Sequence, residues 1–174
     1  MYSVRKILLI IPSSIFFFLL VPLFSFFFGR HLDLLLELNT FNLGLMGMLL
    51  SLTILLIGGF YVVESIRILL VQGEGIPLGD VFPNDQSANL ITTGVYGQSR
   101  NPMLFGYLLC LISLGMVMKS ISTTLFIPTL YILIWTIWLK TIEEPALEVR
   151  FGYQYREYRA ITPYLVPRFC SCAY

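Results

Sequence analysis

The chain has 174 residues, 57% of them hydrophobic and only 12% charged, with 11 Lys and Arg set against 10 Asp and Glu. Soluble domains carry about 25% charge, so this composition excludes a disordered chain, a basic nucleic-acid binder and a typical cytosolic enzyme. At about 20 apolar residues per membrane crossing, the length leaves room for four or five spans and for no large extramembrane domain.

The first uncharged run is Ile7–Phe28, preceded by Arg5 and Lys6. It is longer than the roughly 7–15 residues of a signal-peptide core, and no small-residue cleavage site follows it. It therefore predicts a retained span over about 7–28. Pro12 and Pro22 are tolerable there, because neighbouring helices and Ser13 and Ser14 can satisfy the freed carbonyls. A second uncharged run, Leu38–Val63, predicts a span over about 42–63. Glu64–Arg100 then carries six charges together with Gly73, Gly75, Pro77, Gly79 and Pro83, which reads as a loop after a helix end. Two further spans, over 102–118 and 120–139, are separated by little more than Lys119 and form an antiparallel hairpin. Lys140–Tyr174, with nine charges, reads as an amphipathic helical tail. The expected fold is an all-α membrane protein with about four transmembrane helices, forming a single domain over 1–174.

Basic residues orient the spans. With the N-terminus inside, one side holds Arg5, Lys6, Arg67, Arg100, Lys140, Arg150, Arg156, Arg159 and Arg168, and the other only Arg30 and Lys119. Both termini and both charged segments are then expected on the cytoplasmic face. Cys110 sits within a span and reads as core. Cys170 and Cys172 are too few for a zinc site, and the single histidine, His31, reads as a solvated interface residue. No metal and no nucleic-acid partner is expected, and no charge near the middle of a span suggests a transporter.

Two segments carry candidate chemistry. The first, Leu90–Gly106, brings a loop to a helix start. Asn101 suits the N-cap and Pro102 the first helical position. Arg100 then stands beside free backbone N–H groups and the positive end of a helix dipole, which suits a carboxylate or phosphate. It equally suits snorkelling to lipid phosphates. The second segment, Glu143-Glu144-Pro145-Ala146-Leu147-Glu148, places three carboxylates just past a span. Adjacent glutamates on a helix point about 100° apart. A solvated helix start is the ordinary reading, but carboxylates at a membrane edge facing an anion-binding helix end are costly and usually functional.

Gly94-Val95-Tyr96, Arg100-Asn101-Pro102 and Gly106, then Glu143-Glu144, Phe151-Gly152, Tyr155 and Tyr158, resemble the integral-membrane S-adenosylmethionine-dependent methyltransferases. That group includes isoprenylcysteine carboxyl methyltransferases and phospholipid methyltransferases. The likeness spans about residues 71–168, including Gly73–Leu78, with the cofactor segments over 71–106 and 140–168. It implies S-adenosylmethionine as cofactor and a lipid or prenylated small molecule in the membrane as acceptor. It also implies cofactor contacts from Leu90, Ile91, Tyr96, Arg100, Asn101, Pro102, Met103, Leu104, Glu143 and Glu144, with Glu143 the better match to the family's glutamate. No catalytic residue is assigned. Asn101 stands where the family has histidine and Leu104 where it has tyrosine, so no proton transfer is expected at 101. Leu139 stands where the isoprenylcysteine enzymes have a substrate-binding arginine. Two other readings compete. One is an NADPH-dependent reductase of the sterol type, with which the C-terminal pattern is shared. The other is a non-catalytic membrane protein. The membrane implied is the plasma membrane in a prokaryote and the endoplasmic reticulum in a eukaryote.

Overall fold

A computed structural model describes residues 15–41, 44–73 and 87–168. Pro12, Ser13, Ser14, Gly75, Pro77, Cys170 and Cys172 lie outside the described residues, as does Gly73–Leu78 beyond Gly73. The described elements are α1 (Phe16–Leu35), α2 (Gly44–Val71), the short turn α3 (Val95–Gln98), α4 (Pro102–Met118), α5 (Ser122–Phe151) and α6 (Tyr153–Ile161). No strand occurs among the described residues. Helices α1, α2 and α5 are long and apolar enough to cross a membrane, and α4 is a shorter apolar helix of 17 residues. The protein is an all-α membrane protein.

The helices run beyond the first charges that follow each apolar run. Helix α1 continues through Arg30, His31 and Asp33, α2 through Glu64 and Arg67, and α5 through Lys140, Glu143 and Glu144. Partners near or distant in the chain permit this, as at Glu64, Asp33 and Glu144. Glu64 and Arg67 pair at 2.6 Å one turn apart on α2. Helix α5 also has π-type turns at both ends of its apolar stretch, Ser122–Phe126 and Leu139–Glu143. In the second, the Glu144 N–H donates to the carbonyl of Leu139, five residues back, a local overwidening that often accompanies functional positions.

The contacts divide into two compact units, to both of which α2, α4 and α5 contribute residues. The first unit comprises residues up to Gly59 together with Gly106–Trp135. Helix association in lipid relies on close approach and interhelical hydrogen bonds rather than on hydrophobic burial, and this unit shows both. Gly58 faces Gly106, and a Cβ at Gly58 would lie 2.6 Å from the Gly106 carbonyl oxygen. The Ser113 hydroxyl donates to the Ser51 carbonyl at 2.7 Å, and the Thr123 hydroxyl to the Ser25 carbonyl at 3.3 Å. The Asp33 carboxylate accepts the Ser122 N–H at 2.9 Å, supplying an acceptor for the first turn of α5. His31 is exposed.

The second unit comprises Phe60–Phe105 and Thr136–Tyr174. Its core is Tyr61, Ile68 and Val95, with Ile91, Tyr96 and Phe105 packed against it. Tyr61, Ser65 and Ile68 are buried on one face of α2 at the spacing of a helical stripe. Tyr61 meets the Phe105 ring edge to face at 5.2 Å and donates to Gln98 at 2.8 Å. The chain leaving α2 is tied back by Ala88 N–H to the Gly73 carbonyl at 2.9 Å and by Thr93 to Gln72 at 3.0 Å. At Gly94 the backbone adopts φ +60° and ψ −133°, a conformation open essentially to glycine alone.

Candidate functional site

The second unit gathers most of the residues singled out from the sequence. Tyr96 lies on α3, Arg100 and Asn101 in the turn that enters α4, and Glu143 and Glu144 where the π-type turn of α5 ends. The Arg100 Nη1 meets Glu144 Oε1 at 2.5 Å, with 14% of the arginine side chain and 16% of the glutamate side chain exposed. The guanidinium also lies over the Tyr164 ring, 5.5 Å from its centroid. The Arg100 Nε is buried and has no hydrogen-bond partner. Nη1 is therefore held by Glu144, the guanidinium carbon lies over the Tyr164 ring, and Nε remains as a buried donor without an acceptor.

Asn101 has the position expected of an N-cap, and its carbonyl accepts the Phe105 N–H at 3.1 Å. Its side-chain amide points elsewhere and donates to the Tyr164 carbonyl at 2.8 Å. Its own N–H is taken by the Ser99 hydroxyl at 3.1 Å. Pro102 is fully buried, while Met103 and Leu104 are half-buried in the first turn of α4. In that turn backbone N–H groups lack intrahelical acceptors. Ile91 packs on the core beside Tyr96, whereas Leu90 is half-buried outside it.

Tyrosines line the rest of the site. Burial, reinforced by the Glu143 charge, raises the Tyr96 hydroxyl above its ordinary pKa, which places the Glu143 carboxylate within electrostatic reach of that ring. The Tyr158 hydroxyl donates to the Tyr96 carbonyl at 2.7 Å, and burial raises its pKa as well. Tyr155 is buried, and its pKa is pushed up to about 12 by burial and by the Glu144 charge, against the opposing pull of Arg100. Glu148, the third carboxylate of the cluster, turns away from Arg100 and pairs with Arg159 at 2.9 Å and Arg156 at 3.7 Å.

The model of one protein family, phospholipid methyltransferase, matches residues 46–154. The chain belongs to the phospholipid methyltransferase family. No curated protein and no solved structure is significantly similar to it. The family match runs from within α2 to the start of α6, and so contains every site residue named from the sequence, Leu90 to Leu104 and Glu143 and Glu144. It ends short of Tyr155, Tyr158 and Tyr164. Tyr155 and Tyr158, three apart on α6, carried the sequence signal of one buried helix face. For Tyr164 there was no such signal, because its contacts come from an irregular segment.

Proposed function

We propose that this phospholipid methyltransferase family member transfers a methyl group from S-adenosylmethionine to a membrane-embedded lipid or prenylated acceptor, at a carboxylate or an amine, on the cytoplasmic face. The observation that carries this reading is the convergence of Arg100, Glu143, Glu144 and Tyr96 in one unit at the start of α4. The donor set fits the cofactor's chemistry. A buried Arg100 Nε without an acceptor suits a carboxylate, as do the first-turn N–H groups of Met103 and Leu104. The Glu143 carboxylate suits an ammonium or ribose hydroxyls, and the Tyr96 ring a flat base or a positive sulfur. Ile91, Leu90 and Pro102 supply apolar wall, and Asn101 holds the loop that presents Arg100.

The sulfonium supplies an already activated methyl group, so the chain is left with binding, orientation and exclusion of water. Holding two reactants in line contributes about 7–11 kcal/mol in favourable cases. Glu144 contributes by fixing Arg100, since its own oxygen is engaged there. A carboxylate acceptor needs no base. An amine acceptor needs one, for which Glu144 and Glu148 are the candidates, each engaged by arginine: Glu144 by Arg100, and Glu148 by Arg159 and Arg156. The concentration of basic residues on the segments of this unit supports a cytoplasmic site.

Calorimetry on the purified protein in detergent tests the proposal. S-adenosylmethionine should bind, and reduced nicotinamide dinucleotide phosphate should not. Glu143→Ala should abolish binding and His31→Ala should leave it intact. A wild-type protein that ignores S-adenosylmethionine, or equal effects from the two substitutions, would overturn the reading. Incubation of membranes with cofactor labelled in the methyl group, followed by analysis of the labelled lipids, identifies the acceptor.

A further inference from the structure

The segment Thr162–Arg168 follows α6 and runs without helix or strand, yet its backbone is tied closely to the loop that carries Arg100. Three consecutive carbonyls, those of Pro163, Tyr164 and Leu165, accept hydrogen bonds from three consecutive residues of that loop. The donors are the Arg100 N–H at 2.9 Å, the Asn101 amide at 2.8 Å and the Ser99 hydroxyl at 2.8 Å. A fourth bond, Arg168 N–H to the Gln98 carbonyl at 3.0 Å, closes the strap. Between these anchors the Tyr164 ring lies against two cations, with Arg100 Cζ 5.5 Å and Lys140 Nζ 5.4 Å from its centroid.

A guanidinium is planar, and a single contact with a carboxylate oxygen leaves it free to swing about that contact. Glu144 supplies one such contact through Nη1, and the Tyr155 hydroxyl lies within reach of the same cation. The Tyr164 ring under the guanidinium carbon limits the remaining freedom, and attraction between cation and ring adds to the restraint. We infer that Tyr164 is a positioning residue for the cofactor site: its ring restrains the Arg100 guanidinium so that Nε, which Glu144 does not use, is presented to an anionic group. This inference rests on the proposed role of Arg100 in holding the cofactor carboxylate. The strap supplies the position of the ring, and Asn101 has its own part in this, since its amide locks the backbone of Tyr164 itself.

Two measurements on the full-length protein in lipid nanodiscs test the assignment. Arginine-selective NMR reads solvent exchange of the Arg100 Nε–H without added cofactor, and calorimetry reads S-adenosylmethionine affinity. Tyr164→Phe keeps the ring and should leave both within about twofold of wild type. Tyr164→Leu should speed Nε–H exchange and weaken S-adenosylmethionine about tenfold, within the range expected for loss of one cation–ring contact. If the leucine variant does not fold, Tyr164→Met, closer in length, gives the same reading. Unchanged Nε–H exchange on losing the ring, or equal losses from the phenylalanine and leucine variants, would overturn the inference. Faster Nε–H exchange in a protein whose wild type binds no S-adenosylmethionine would support the positioning role and reject the cofactor reading alone.

Discussion

Arg100 and Glu144, 44 positions apart in the chain, meet at 2.5 Å with most of both side chains buried. Removing one partner of a buried pair strands the other charge and costs about 3–5 kcal/mol, whereas replacing both by apolar groups is often nearly neutral. Glu144→Gln should therefore destabilise the protein by roughly that amount in denaturant titrations. The double variant Arg100→Met with Glu144→Leu should recover most of the loss. It should not recover S-adenosylmethionine binding. Stability and binding read on the same three proteins separate the structural part of this pair from its role toward a ligand.

The two tyrosines joined by the Tyr158 hydroxyl should respond unequally to loss of their own hydroxyls. Tyr158→Phe leaves the Tyr96 carbonyl without its donor at 2.7 Å, which costs about 1–3 kcal/mol for a buried group. Tyr96→Phe removes only a contact 3.5 Å from the Ser65 carbonyl, at the outer limit of a hydrogen bond, and should cost less than about 1 kcal/mol. Paired unfolding curves check the order.

Gly94 cannot be exchanged cheaply. Its φ of +60° with ψ −133° disfavours any side chain, and a Cβ there would fall 2.6 Å from Ile68 Cδ1 in the core. Gly94→Ala should destabilise the second unit by about 1–3 kcal/mol through backbone strain, with additional displacement of Ile68. Hydrogen exchange should show the loss first at Ile68 and Val95.

Alkali should weaken the fold through its buried tyrosines. Tyr155 titrates at about 12 in the folded protein, above the ordinary value of 10.0, and Tyr96 and Tyr158 are raised too. Between the two values the unfolded chain has lost the proton that the folded chain keeps, so stability falls as pH rises. The contribution is complete below pH 10 and is lost as pH approaches about 12. Within that window Tyr155→Phe should make the alkaline decline shallower by at most about 1.4 kcal/mol per pH unit, steepest midway between the two values. Denaturant midpoints measured from pH 8 upward check it, together with phenolate absorbance.

The apolar helices and their order were legible from the absence of charge, because no other arrangement satisfies so long an apolar backbone in lipid. Helix ends were less so. Glu64 reads as a loop start until its pairing with Arg67 is seen, and a span ending near 28 gives no sign that Asp33 lies on the same helix and meets Ser122. The partner lies one turn away in the first case and on another helix in the second, and in both the helix runs on. The gathering of Tyr96, Arg100, Glu143 and Glu144 was legible from motif residues. Their mutual engagement was not, because pairing between Arg100 and Glu144 depends on how α4 and α5 approach and leaves no trace in either local sequence. Backbone carbonyls accept from Ser99, Arg100 and Asn101 in the strap, and any residue supplies a carbonyl. Only the tyrosine at 164 is chemically distinctive there.

The bond from Ser122 to Asp33 joins positions 89 apart, which bears on biogenesis. During synthesis the acidic side chain is made long before the helix start that it serves. Until α1 is seated, the leading turn of α5 must find its acceptor in water or headgroups. Replacing Asp33 should accordingly appear as a defect in insertion, with the α4–α5 hairpin slow to settle or sensitive to quality-control proteolysis, while molecules that do mature keep their chemistry.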